Sequence, residues 1–131
     1  MANRFRRITS AVASVALLPA ACGGGRGSLT GPQPADVTDR TVTITASGVS
    51  PASLTVPAGS RVTFVNRDSR RHNMTSDPHP DHSDCPEINT VGSLQPGESR
   101  ETGNLVSVRT CGFHDHDQPT NDALRGRIVV Q

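Results

Sequence analysis

The sequence has no tryptophan and no tyrosine, and its only phenylalanines are Phe5, Phe64 and Phe113. Hydrophobic residues fill 33% of its 131 positions, which is room for one domain with a light core. So few bulky side chains bury little apolar surface, and a staple is expected, either a disulfide or a metal ion. The missing aromatics also exclude a base-stacking platform, and the arginines are scattered, so nucleic acid is not an expected partner. No apolar run is long enough to cross a bilayer as a helix. No segment repeats its apolar residues with a 3.6-residue period, so helix content should be small. Enzyme signatures are missing too. There is no glycine-rich phosphate loop after a strand, no Gly-x-Ser-x-Gly and no placement of carboxylates suggesting a paired acid and base, so binding is expected and catalysis is not.

What is present begins with an address. Arg4, Arg6 and Arg7 precede an uncharged run from Ile8 to Leu18, followed by Pro19-Ala20-Ala21-Cys22. A basic start, a short apolar stretch and small residues before a cut describe a signal peptide over 1–21. A cysteine at that place resembles a bacterial lipobox, although Pro19 stands where leucine is usual. The resemblance implies lipidation of Cys22; the alternative is ordinary cleavage with Cys22 as an incidental thiol. Residues 22–40 are mostly Gly, Pro, Ser and Ala and read as a flexible tether. The expected product is exported and lipid-anchored to a bacterial membrane, with its domain in the periplasm or at the cell surface. From Cys22 onward ten arginines face twelve carboxylates, a net charge of −2.

From Thr41 the pattern becomes two-residue alternation. Val42 and Ile44 alternate with threonines, Leu54 and Val56 flank Thr55, Val62 and Phe64 flank Thr63, and Ile128, Val129 and Val130 lie at the C-terminal end. Val, Ile and Thr at period two indicate half-buried β-strands. Turn signals fall between them at Gly48 to Pro51, Pro57-Ala58-Gly59, Asn66-Arg67-Asp68 and Gln95-Pro96-Gly97. Short strands at this spacing predict an all-β antiparallel sandwich over 41–131.

The chemistry is concentrated in one stretch. All five histidines and both remaining cysteines lie between positions 72 and 116: His72, His79, His82, Cys85, Cys111, His114 and His116. This is a metal-site composition. Cys111 and His114 form a Cys-x-x-His step, with His116 two residues beyond.

Taken in order, these elements resemble the cupredoxins, the small blue copper proteins of the plastocyanin, amicyanin and azurin type. VTITASGVSPASLTVPAGSRVTFVNRD, Val42 to Asp68, resembles the opening strands of that family, and RRHNM, Arg70 to Met74, the segment bearing its first histidine ligand. LQPGES, Leu94 to Ser99, resembles a turn, CGFH, Cys111 to His114, the ligand loop, and LRGRIVV, Leu124 to Val130, the closing strand. The resemblance implies a Greek-key β-sandwich holding one copper ion between His72, Cys111 and His114, with His116 as rival to His114 and Asn73 hydrogen-bonding around the site.

Three departures qualify it. Leu124 stands where the family usually has an axial methionine, which leaves Gln118 or Met74 as weak axial candidates. Arg109 and Ser107 share the parity of Cys111, so either a bulge near Thr110 shifts the register or this strand packs differently. Cys85 is extra, and two thiols in an oxidising compartment commonly form a disulfide, which would remove the copper thiolate.

The leading expectation is therefore a monomeric one-electron carrier serving a membrane redox partner. The alternatives are copper storage or delivery, and a metal-free binding domain stapled by Cys85 and Cys111. The segment DPHPDHSD, Asp77 to Asp84, reads first as a solvated connection and second as a lower-affinity metal loop. Arg70 and Arg71 read as solvation of a strand end.

Overall fold

The computed structural model describes residues 40–131. The expected signal peptide, the lipidated Cys22 and the tether up to position 39 lie outside these residues. Nine strands follow in order: β1 (Thr41–Thr45), β2 (Gly48–Ser50), β3 (Ser53–Val56), β4 (Thr63–Asn66), β5 (His72–Ser76), β6 (Gly92–Leu94), β7 (Ser99–Glu101), β8 (Arg109–Asp115) and β9 (Arg125–Val130). Single 3-10 turns occupy Ile88–Thr90 and Asp122–Leu124. No α-helix occurs among the described residues, as the missing 3.6 period leads one to expect.

The strands form a four-stranded sheet in the order β2-β1-β4-β7 and a five-stranded sheet in the order β3-β9-β8-β5-β6. Both sheets are mixed, because β1 runs parallel to β4 and β3 parallel to β9, while the other pairs are antiparallel. The alternating pattern fixes which face of a strand is buried but not the direction of its neighbour, so the parallel pairs were not readable. The expected turn at Gly48 to Pro51 is displaced. Thr45 pairs with Gly48 across a tight two-residue turn, and Gly48 to Ser50 form β2. Gly48 has φ of 127° and lies against the backbone of Ala123, a place without room for a side chain.

The two sheets bury a common core. Val42, Ile44 and Phe64 come from the first sheet, and Met74, Cys111, Phe113, Ile128 and Val130 from the second. Phe64 meets Phe113 edge to face, with ring centroids 5.1 Å apart. These are the only two phenylalanines of the domain, and their contact spans the sandwich. The rest of the core is aliphatic and small, and it contains the staple: Cys85 and Cys111, both fully buried, are joined as a disulfide with Cα atoms 5.6 Å apart.

The central strand β8 and its two neighbours position the functional side chains. β8 pairs with β9 without interruption from Arg109 opposite Val130 to His114 opposite Arg125, so no bulge occurs at Thr110. Arg109 is accommodated differently: it is half-buried and its guanidinium reaches Glu87 at 3.0 Å. β5 joins the other side of β8, with Met74 opposite Asp115 and Thr75 opposite His114.

Candidate metal centre

Along β8 side chains alternate between the two faces of the sheet. Cys111, Phe113 and Asp115 point inward; Gly112 and His114, and His116 just beyond the strand, take the opposite parity. The chain leaving β5 covers this outer face, where the N–H of Asp77 donates to the carbonyl of Gly112 at 3.0 Å. The covering segment then folds back on itself. The N–H of His82 donates to the Pro78 carbonyl at 2.7 Å, and that of Asp84 to the Asp77 carbonyl at 2.9 Å. His82 has φ of 51°, in the left-handed region that side-chain-bearing residues rarely occupy.

The result is a group of four imidazoles. One ligand atom from each of His79, His82, His114 and His116 lies within 4.8 Å of the others. Nitrogen ligands stand about 2.0–2.1 Å from a small divalent ion, so modest side-chain adjustment would let all four reach a common ion. Hydrogen bonds fix which nitrogen two of them offer. The Nδ1 of His82 lies 2.8 Å from the carbonyl oxygen of Ser76, which only accepts, so Nδ1 carries the proton and Nε2 presents a lone pair. The Nδ1 of His114 donates to Asp77 Oδ1 at 2.6 Å. The Nε2 of His114 is buried and has no hydrogen-bond partner. Leaving such a group unsatisfied costs about 1–3 kcal/mol, a cost that a bound cation removes. His116 is held at its backbone, donating to the Asn73 carbonyl at 2.7 Å, and its Nδ1 lies 2.9 Å from His82 Nε2. The pKa of His79 is lowered, first by desolvation and then by the neighbouring His116, His114 and His82, which favours the neutral, ligating form.

On the inner face a second polar group forms around His72. Both of its ring nitrogens are engaged, Nδ1 with Asp115 Oδ2 at 2.8 Å and Nε2 with Asp68 Oδ2 at 3.0 Å. Asp115 Oδ1 also accepts the N–H groups of Asn73 and Asp117, which fixes the turn carrying His116. Burial pushes the Asp68 carboxyl up, but hydrogen bonds from His72, Arg70 and the Ser69 N–H, together with the Arg70 charge, outweigh it and hold the pKa at about 2.

The ligand set expected from the sequence, His72, Cys111 and His114, therefore does not assemble. Cys111 has no free thiolate because its sulfur is bonded to Cys85. His72 has no free nitrogen. His114 is an in-strand residue and not part of a loop, so its parity sends it to the face opposite Cys111 and His72. His116 joins His114 instead of replacing it. The axial candidates are occupied elsewhere: Met74 lies in the core, and the amide oxygen of Gln118 accepts from Asn121. Asn73 contributes its backbone, to Asp115 and His116. The segment Asp77 to Asp84, read first as a solvated connection, supplies two of the four histidines. Their signal was in the sequence as His79-x-x-His82 facing His114-x-His116, a pair at strand spacing that shares one face.

The sandwich and its sheet order give the domain a cupredoxin-like fold. Among solved structures the chain is similar to a purple cupredoxin from Nitrosopumilus maritimus, at 21% identity and a TM-score of 0.55 over 71% of this chain and 100% of that one. It is similar also to oxidized plastocyanin from Dryopteris crassirhizoma, at 20% identity and a TM-score of 0.55 over 70% and 99% of the two chains. An oxidized amicyanin mutant aligns at 19% identity and a TM-score of 0.58 over 75% and 87%. No protein-family profile and no curated protein matches the sequence.

Proposed function

We propose that this domain binds copper through His79, His82, His114 and His116 and holds the ion for storage or delivery. The observation that carries the reading is the buried, unpartnered Nε2 of His114 within a group of four imidazoles. Imidazole suits Cu(II) well, and copper stands above the other common divalent ions in affinity for a nitrogen site. His79 and His116 are exposed and His82 is half-exposed, an arrangement that suits exchange of the ion with a partner. Export and anchoring at Cys22 would put this exchange at a bacterial membrane surface.

A second reading, one-electron transfer, is favoured by the fold shared with plastocyanin and amicyanin. It lacks a thiolate, since Cys111 is bridged. Loading the 131-residue chain with Cu(II) separates the two. The storage reading expects one equivalent bound, weak visible absorption and an electron paramagnetic resonance spectrum with nitrogen ligands only, with the same spectra, at lower affinity, in the folded Cys85→Ser/Cys111→Ser double variant. An intense thiolate-to-copper band would support the carrier and overturn the storage reading. Failure to bind in the micromolar range would overturn both.

A further inference from the structure

We propose that Asp77 is the positioning residue of this centre, setting metal affinity through its hold on His114; the inference rests on the four-histidine reading. Asp77 is not one of the four candidate ligands. Its Oδ1 accepts a hydrogen bond from the Nδ1–H of His114, a ring whose side chain is 1% exposed, and so commits Nε2 to the site. A histidine ligand whose other nitrogen donates to a carboxylate is fixed in tautomer and orientation and becomes a better donor.

Two features hold the carboxylate in place for this task, and two more suit it to the role. Its backbone is fixed on both sides, with the N–H bonded to Gly112 and the carbonyl accepting from the Asp84 N–H at 2.9 Å and the Ser76 hydroxyl at 2.9 Å. Gly112 leaves the space that Asp77 fills, since a Cβ built there would collide with the Asp77 carboxylate. Arg125, half-exposed, forms a long ion pair with Asp77 at 4.0 Å, too far to hydrogen-bond, so His114 keeps the short hydrogen bond to Oδ1. Asp77 also begins the segment that carries His79 and His82, so the support of one ligand and the delivery of two others are a single piece of chain. A divalent ion among four neutral imidazoles brings a charge of two into a partly buried group, and Asp77 is the anion placed to offset it.

The test compares the 131-residue chain with its Asp77→Asn, Asp77→Ala and Gly112→Ala variants. Zn(II) and Cu(II) affinities are measured by chelator competition, and imidazole tautomers by long-range proton–nitrogen correlation spectra. The expected result is an Nδ1-protonated His114 in the metal-free wild type and a 10–100-fold loss of affinity in Asp77→Ala. Asp77→Asn, which keeps the acceptor but loses the charge, should lose less. Gly112→Ala, which displaces the carboxylate without removing it, should lose affinity as well. The tautomer of His82, set by Ser76, should not change. Where Asp77→Ala does not fold, Asp77→Asn, of nearly the same shape, decides. A folded Asp77→Asn within twofold of wild type for both ions, or a wild-type His114 protonated on Nε2, overturns the role of Asp77 while leaving the four-histidine site standing. A wild type that binds neither ion overturns the site and this inference together.

Discussion

Cys85 is bonded to Cys111, and this one bond fastens the segment that carries His79 and His82 to the strand that carries His114. The bridge closes a loop with a sequence separation of 26 residues. Loop-closure entropy for that length is worth about 3.5 kcal/mol, a large share of the stability of a domain with so light a core. Thermal unfolding of the metal-free Cys85→Ser/Cys111→Ser variant should show a loss of this size. Its metal affinity should fall too, because the covering segment loses its attachment. An unchanged melting temperature would show that the staple is redundant.

The four histidines should not contribute equally. His114 is buried and oriented by Asp77, whereas His79 is exposed and makes no hydrogen bond through its ring among the described residues. Calorimetric titration with Cu(II) should find His114→Ala at least tenfold weaker, about 1.4 kcal/mol, than His79→Ala. The reverse order would mean that the covering segment and not β8 holds the ion.

His72 should matter for stability and not for metal. Its removal takes the ring donor from the buried Asp115 and leaves Asp68 with Arg70 as its remaining charged partner, and breaking a buried pair in this way costs about 3–5 kcal/mol. Urea denaturation of His72→Ala should show a loss in that range. Under conditions where the variant is folded, its Cu(II) affinity should stay within a few-fold of wild type. A large, selective loss of copper would return His72 to the ligand set.

Acid should reveal Asp68. Its folded pKa of about 2 is below the ordinary carboxylate value of about 3.9, so its contribution is present above about pH 4 and is lost as pH falls through about 2. At neutral pH Asp68→Asn should be less stable than wild type, and the difference should shrink between about pH 4 and pH 2. A difference that stays constant through that window would mean the charge of Asp68 does not stabilise the fold.

Much of this domain is legible without coordinates. Alternation of Val, Ile and Thr against turn residues marks the strands at Val42, Leu54, Phe64 and Ile128, because a two-residue period exposes and buries side chains in turn whatever the neighbours are. The shortage of aromatic residues points to a staple for the same reason: buried area depends on composition. The concentration of histidine between positions 72 and 116 marks the segment of the candidate metal centre. The ligand set is a different matter. CGFH resembles a ligand loop, yet whether its residues sit in a loop or within a strand depends on how far β8 keeps pairing with β5 and β9, and this is a property of three segments at once.

The sequence by itself determined the all-β class and the stretch of chain in which histidine and cysteine gather, since each follows from composition or from local periodicity, and it left the staple open between a disulfide and a metal. Only the tertiary structure decided that Cys111 meets Cys85, that His72 lies between Asp68 and Asp115, and that His79 and His82 come to rest over His114 and His116. Those outcomes depend on which face of a strand a side chain occupies and which distant segment covers that face. A continuation of pairing through His114 turns it away from Cys111 and toward the partners that leave its Nε2 free.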